Sequence, residues 1–560
     1  MMRSRGLTFA IAGSILLVIV SLGLCGDSQP SRRVSTTLIN PLFKTKRVWV
    51  HYMIQLPDYE LEPPYGALYP LELRSSYAAP SRDVDPIKRM QNSGINGMQV
   101  LLNGYEDATG QMESYLGNAE KHPGFVVAPC IAPDTEDQAV NLVETYVSLA
   151  AKHSSAAEEN GKLVVFTYGA RYGKSPDFWR NVRNRLSRSG IAVFFINDIG
   201  ANLSVKGGLQ TKRITPYFPV FDASYTFEDT LPEFWGDVIS LFNLYNQVYA
   251  GGIMAGYDRE TPHGGYKDAQ GTWRYRNQWQ LGLASGLRWQ TINTWNDAVE
   301  RTEIRPTSDW NWTRADITAF YSAKLRGTPY PFKSPQLYVT TAQMIHLGEV
   351  PRAEGMVLNS TSSPMTVEIQ LIDSNQTPYS STFSAVVAPY SAGAITTPDN
   401  VTVDNLPPDR FLRVHAKMYN SAGKIVQKVT SAPILIYSTN EVPELKRRTL
   451  YYSIPAVKAL PGTVGLNLNG SPVSSPRMAT ATVNPPVGTA VRFVEVLQNT
   501  RQVKNMFDQA PFTTEIPLIN GGHIVGHQVI SVSASGFYIA RVIDEQERVG
   551  YSDPVYIALP

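Results

Sequence analysis

Between residue 47 and about residue 330 the chain alternates short apolar, β-prone runs with longer amphipathic stretches, and it does so eight times. The runs are 48–53, 97–102, 125–130, 163–167, 192–196, 217–221, 252–257 and 290–295. Near-continuous apolar strands belong in sheets covered on both faces, as in a parallel sheet flanked by helices. Helical patterns fill the gaps at 85–92, 110–120, 134–153, 176–187, 231–246 and 272–287, and another follows at 313–325. Acids at 134–137 head one of them, where the helix dipole favours negative charge, and Pro176 heads another. Eight regular β/α units favour closure over a doubly wound open sheet. The expected fold is therefore α/β, a (β/α)8 TIM-type barrel over 47–335.

After residue 335 the helical period disappears, and strand-like alternation follows at 365–373, 381–388, 411–419, 424–430, 490–497, 527–533 and 537–543. Asn420-Ser421-Ala422-Gly423 marks a hairpin turn between two of these runs. This pattern predicts two all-β immunoglobulin-like sandwich domains, 336–445 and 446–560.

The N-terminus reads as a targeting segment. Arg3 and Arg5 precede an uncharged apolar run, 6–24, and then Cys25. Leu22-Gly23-Leu24-Cys25 is similar to a bacterial lipoprotein box, and the run is long enough to span a bilayer. Residues 1–27 are thus expected to be a signal or membrane anchor and 28–46 a tether. The rest would be exported, either lipid-anchored at the cell envelope or secreted. Cys130 is the only other cysteine, so no disulfide framework is possible, and its expected role is a small core residue at a strand end.

Composition narrows the function. The apolar share of 43% and charged share of 18% describe a folded chain, and a net charge of +2 without a basic run argues against nucleic acid as a partner. The histidines are scattered with no HExxH, and there is no Gly-x-Ser-x-Gly elbow. Residues 169–175 are one residue short of a phosphate loop. No metal or cofactor is expected.

Catalytic groups of such barrels lie at the C-terminal ends of the strands. The last run ends in Trp295, Asn296, Asp297 and Glu300. Two carboxylates three residues apart beside an aromatic suit glycosidic cleavage, in which one acid protonates the leaving oxygen and the other activates water. The bland alternative is a salt-bridged strand end involving Arg301, and Glu303 is a further carboxylate beside the pair.

Residues 47–330 resemble glycoside hydrolase family 71, the α-1,3-glucanases or mutanases. The resemblance is carried by Arg47-Val48-Trp49-Val50-His51-Tyr52-Met53, by 85–102, by 160–169, by Arg288-Trp289, and above all by Thr294-Trp295-Asn296-Asp297-x-x-Glu300 followed by Ile304-x-Pro306. Family 99 endo-mannosidases have a similar segment with Glu in place of Asp. Ala298-Val299 and Arg301-Thr302 stand where family 71 usually has Tyr-Gly and Ser-His. The resemblance implies an inverting endo-α-1,3-glucanase with Asp297 and Glu300 as the catalytic pair and no cofactor. Tyr168, Tyr257 and Trp295 are then candidates for stacking on sugar rings. His51, Asp198, Asp222, Asp258 and Asn296 are candidates for hydroxyl contacts. An α-mannan hydrolase and an inactive polysaccharide-binding surface lipoprotein are the alternatives.

Overall fold

A computed structural model describes residues 37–38, 43–53, 85–102, 108–169, 174–200, 204–205, 208–209, 211–227, 234–258, 265–298, 300–438, 449–469, 478–489, 491–500, 512–515, 526–531 and 536–557. Among these, no helix is long and apolar enough to cross a membrane. The expected targeting run 1–27 and most of the tether 28–46 lie outside the described residues.

Eight parallel strands follow one another: β1 Arg47–Tyr52, β2 Gly97–Leu102, β3 Val126–Ile131, β4 Lys162–Thr167, β5 Val193–Asp198, β6 Ala223–Tyr225, β7 Ile253–Met254 and β8 Trp289–Asn293. The sheet order is β7-β8-β1-β2-β3-β4-β5-β6. Its two ends are joined through the chain just before β7. Ser224 bridges Tyr249 in parallel, the Ala250 N–H donates to the Ser224 carbonyl at 2.8 Å, and the Thr291 N–H donates to the Ala250 carbonyl at 3.1 Å. The result is a curled, TIM-like parallel sheet.

Alternate residues of each strand face opposite sides. Trp49, Phe166, Phe194 and Trp289 fill the interior, with Phe43 stacked on Trp289 at a centroid distance of 3.9 Å. Val48, Val50, Met98 and Val100 face outward and share a core with helix residues such as Ile87, Met90 and Val143. A Cβ on Gly97 would lie 2.6 Å from the Trp49 ring, so β2 approaches β1 only because that position is glycine. Cys130 is buried in the interior with its thiol 3.6 Å from the Tyr225 hydroxyl.

The helices are α1 Pro86–Asn92, α2 Ala108–Ala119, α3 Glu136–Ala150, α4 Pro176–Arg188, α5 Trp235–Leu244, α6 Trp273–Ala284 and α7 Thr313–Arg326. Asp85, Thr135 and Ser175 cap three of them by accepting backbone N–H groups. One expected strand is displaced. Residues 217–220 fall in a 3-10 helix, Thr215–Val220, which contains Pro216 and Pro219; Phe221 follows it and β6 begins at Ala223. Proline lacks the ladder N–H, so that apolar run cannot serve as a central strand.

The C-terminal half is β structure, as expected, although the described pairings do not by themselves make it immunoglobulin-like. Gln336–Ala342 pairs with Ala353–Leu358 and also with Tyr451–Pro455, which lies beyond the expected 445/446 boundary. Met365–Ile372 pairs with Phe383–Val387 and Phe411–Tyr419. Gly536–Asp544 pairs with Val491–Thr500 in the last part of the chain.

Asp309 ties the end of the barrel to both parts of this β half. Its carboxylate accepts from Arg541 at 2.6 Å and from the Gln343 amide at 3.0 Å, and its carbonyl accepts the Ser453 N–H at 2.7 Å. Both members of the ion pair are buried. Removing one partner strands the other charge, at a cost of about 3–5 kcal/mol. Asp309→Ala should therefore lower the thermal midpoint sharply, and the double variant Asp309→Asn, Arg541→Met should recover most of the loss. Calorimetry checks this; equal losses in single and double variants would contradict it.

Candidate active site

The segment after β8 is folded back on itself. The Thr294 N–H donates to the Thr302 carbonyl (3.1 Å), the Ile304 N–H donates to the Thr294 carbonyl (2.9 Å), and the two threonine hydroxyls lie 3.0 Å apart. The Trp295 N–H donates to the His51 carbonyl (2.9 Å), which fastens the turn to β1. Asn296 grips Met53, accepting its N–H at 3.0 Å and donating to its carbonyl at 2.9 Å. From α7, Arg314 donates to the Glu303 carbonyl at 2.7 Å while its guanidinium lies 4.0 Å over the Trp310 ring.

Within this turn the Asp297 N–H donates to Thr294 Oγ1 (2.9 Å), and Asp297 Oδ1 accepts the Glu300 N–H (3.0 Å). The second contact fixes the two acids relative to each other. Asp297 is only 4% exposed, whereas Glu300 is half-buried. The Tyr257 hydroxyl donates to Glu300 Oε1 at 3.0 Å, and the Asp258 N–H donates to the Glu300 carbonyl at 3.0 Å. Tyr168, at the end of β4, is 37% exposed. Burial, followed by the charges of Asp198, Glu300 and Asp297, holds its phenol well above the usual tyrosine range. Tyr257 thus touches one acid, and Tyr168 lies within electrostatic reach of both, beyond the C-terminal ends of the strands.

Beside the turn, the inner face of the sheet carries buried polar side chains. His51 is buried, with its ring edge-on to Phe227 at 4.8 Å and tilted toward Tyr168 at 6.0 Å. Burial pushes its pKa down to about 3, with neighbouring Gln99 acting in the opposite sense, so it is neutral at ordinary pH. Neither ring nitrogen completes a hydrogen bond of normal geometry, nor do the Gln99 amide atoms or Asn293 Oδ1. These residues sit on adjacent strands β2, β1 and β8. All three side chains are fully buried and present no surface to a ligand. Gln99 and Asn293 did not stand out in the sequence. Their signal was a polar residue at an inward position of an apolar strand.

Several expected contacts are corrected by burial or prior engagement. Trp295 is packed in the core and cannot stack on a sugar. Asn296 is committed to the Met53 backbone. Asp198 is buried and accepts the N–H groups of Gly169, Gly200 and Phe227 at 2.9, 2.7 and 3.0 Å, so it organises the rim without contacting ligand. Asp222 precedes β6, because that strand is displaced. It is chelated by Arg183 at 3.0 and 2.8 Å and accepts the Phe195 N–H at 2.9 Å, away from the strand ends. Asp258 is largely buried, in the short hairpin Tyr257–Asp258 with Tyr266–Lys267. Glu303 is fully buried and out of a substrate's reach. Among the described residues no group of three His, Cys, Asp or Glu is arranged to hold a metal ion.

No protein-family model matches the chain, and no curated protein sequence matches it. Among solved structures it is similar to the GH99 endo-alpha-mannosidase from Bacteroides thetaiotaomicron, at 16% identity and a TM-score of 0.41, over 50% of this chain and 98% of that one. It is also similar to the beta-glucuronidase of Parabacteroides merdae, at 8% identity and a TM-score of 0.39, over 92% and 63% of the two chains. A third likeness is to the exo-chitosanase CsxA of Amycolatopsis orientalis, at 13% identity and a TM-score of 0.27, over 84% and 61%. The roles proposed below rest on the residues of this chain.

Glu303 supplies a pH signature for the turn. Burial, partly offset by Arg314 and Arg305, raises its pKa to about 7 from an ordinary 4.5. Between those values the folded state binds more protons than the unfolded state, so stability falls as pH rises through that window. Glu303→Gln cannot ionise. Its thermal midpoint should gain on the parent from pH 4.5 to pH 7 and then level off. A difference that does not vary with pH would contradict this assignment.

Proposed function

We propose that this protein is a glycoside hydrolase in which Asp297 and Glu300 act as the carboxylate pair. The observation that carries the reading is the Asp297–Glu300 turn itself. It stands at the C-terminal end of the last strand of the parallel sheet, is wired to β1, and has Tyr257 bonded to one acid and Tyr168 near both. Glu300, the more accessible acid, suits the proton donor, with the Tyr257 hydroxyl orienting its carboxyl. Asp297 suits the base, positioned through its bond to the Glu300 amide. Inversion, with water as the nucleophile, is proposed from the family 71 resemblance, because a flanking carboxylate pair is common to inverting and retaining enzymes. Tyr168 and Tyr257 offer ring surface to a sugar.

For the substrate we propose an α-linked glucan, with α-1,3 linkages preferred, on the family 71 resemblance of 47–53 and 294–306. An α-mannan is the second choice, from the family 99 likeness of the same turn. Export and anchoring are proposed from Arg3, Arg5, the apolar run 6–24 and Cys25. One observation favours a non-catalytic reading. The base candidate Asp297 is nearly buried, and one of its oxygens is already engaged by an amide. A sugar-binding protein with an unused acid pair would look the same.

Glu300→Gln and Asp297→Asn separate the two readings. For the hydrolase, each should lower turnover of α-1,3-glucan by about 10²–10⁴-fold, the usual worth of an acid or base, while retaining glucan binding. A parent protein that binds glucan without releasing reducing ends would establish the binding reading. Tyr257→Phe should lower turnover about tenfold, because it removes the hydrogen bond that orients the Glu300 carboxyl. Unchanged turnover in that variant would remove Tyr257 from the site.

A further inference from the structure

A second cleft lies where the start of α6 meets the first β sheet. It has a volume of about 770 Å³, within the range of small-ligand sites, and it is lined by polar as well as apolar groups. Trp273 stands on its wall and is 42% exposed, although large aromatics normally bury most of their surface. Thr396 and Thr402 place hydroxyls along the cleft, and Asp399 adds an exposed carboxylate. Arg352 is held in place by Asp268, whose other carboxylate oxygen accepts the Tyr451 hydroxyl at 2.9 Å. Its position is therefore set before any ligand arrives.

The cleft also shares walls with a cavity beside Tyr257. Tyr451 and Thr449 line it and equally line a smaller cavity of about 40 Å³, whose other walls include Tyr257, Asp258 and Arg301. Tyr257 is the residue that holds Glu300.

We propose that this cleft is a second glycan-binding site, with Trp273 as its stacking platform, which holds a distant stretch of the polysaccharide while the acid pair works on another. A flat aromatic beside hydroxyl, carboxylate and guanidinium groups is matched by a sugar ring, which has an apolar face and a hydroxyl edge. The choice of glucan as the glycan rests on the proposed function; the presence of a glycan site rests on the cleft.

The test is native gel electrophoresis of the full chain carrying Glu300→Gln, so that polymer is not consumed, in gels containing carboxymethylated α-1,3-glucan or α-mannan. Retardation by one of them is expected, with about tenfold weaker retention after Trp273→Ala. Trp273→Phe should retain most of the effect, and Thr396→Trp, which fills the cleft, should abolish it. In the catalytically intact chain, Trp273→Ala should raise KM on polymer about tenfold and leave kcat on a short oligosaccharide unchanged. Retardation that is absent, or that is unaffected by both Trp273→Ala and Thr396→Trp, overturns the proposal. If the intact chain cleaves nothing but Trp273-dependent retardation persists, the hydrolase reading fails and the cleft stands.

Discussion

The functional reading depends on how tightly the turn after β8 is bound to the barrel. A polar loop carrying two acids would ordinarily be free to move. Here its backbone is fastened to the His51 carbonyl on β1, Asn296 clasps the Met53 main chain, and Arg314 holds the Glu303 carbonyl from α7. The first two contacts join residues far apart in the chain and anchor the turn to the sheet that carries it. Arg301 adopts a left-handed backbone within it, at φ 50°. The hydrogen bond from the Glu300 amide to Asp297 ties the two acids to each other. Pre-organisation of this kind lets charged groups act on a substrate without reorganising at the moment of reaction.

The β half belongs to the same design. Asp309 lies a few residues beyond the acid turn, and it is there that Arg541, Gln343 and Ser453 take hold. The Tyr266 hydroxyl donates to the Thr449 carbonyl at 3.1 Å, tying the hairpin of Tyr257 and Asp258 to the β half as well. The acid pair and the Trp273 cleft thus share one supported junction.

The barrel was legible because a strand covered on both faces reads as an apolar run, and because helices announce their starts. Asp85, Thr135 and Ser175 cap the helices that the pattern predicts. The displaced sixth strand was legible too, had Pro216 and Pro219 been weighed against the apolar content of 217–221. The acid pair could be found because it follows the last strand directly. The roles of Trp295, Asn296 and Asp198 were not legible, because each is decided by a partner more than twenty residues away: the core around Trp295, the Met53 backbone, and the amides of Gly169 and Phe227. Local sequence shows that a residue is polar or aromatic, and long-range packing decides whether it faces ligand.

The central claim is that two fixed carboxylates cleave a glycosidic bond with water as the nucleophile. Proton NMR of the purified protein acting on soluble α-1,3-glucan tests it most directly, because the first-formed anomer reports the chemistry before mutarotation. The account predicts new reducing ends that appear first as the β anomer. Release of the α anomer first would contradict the water mechanism, and no release from this or any other α-glucan or α-mannan would contradict the enzyme itself.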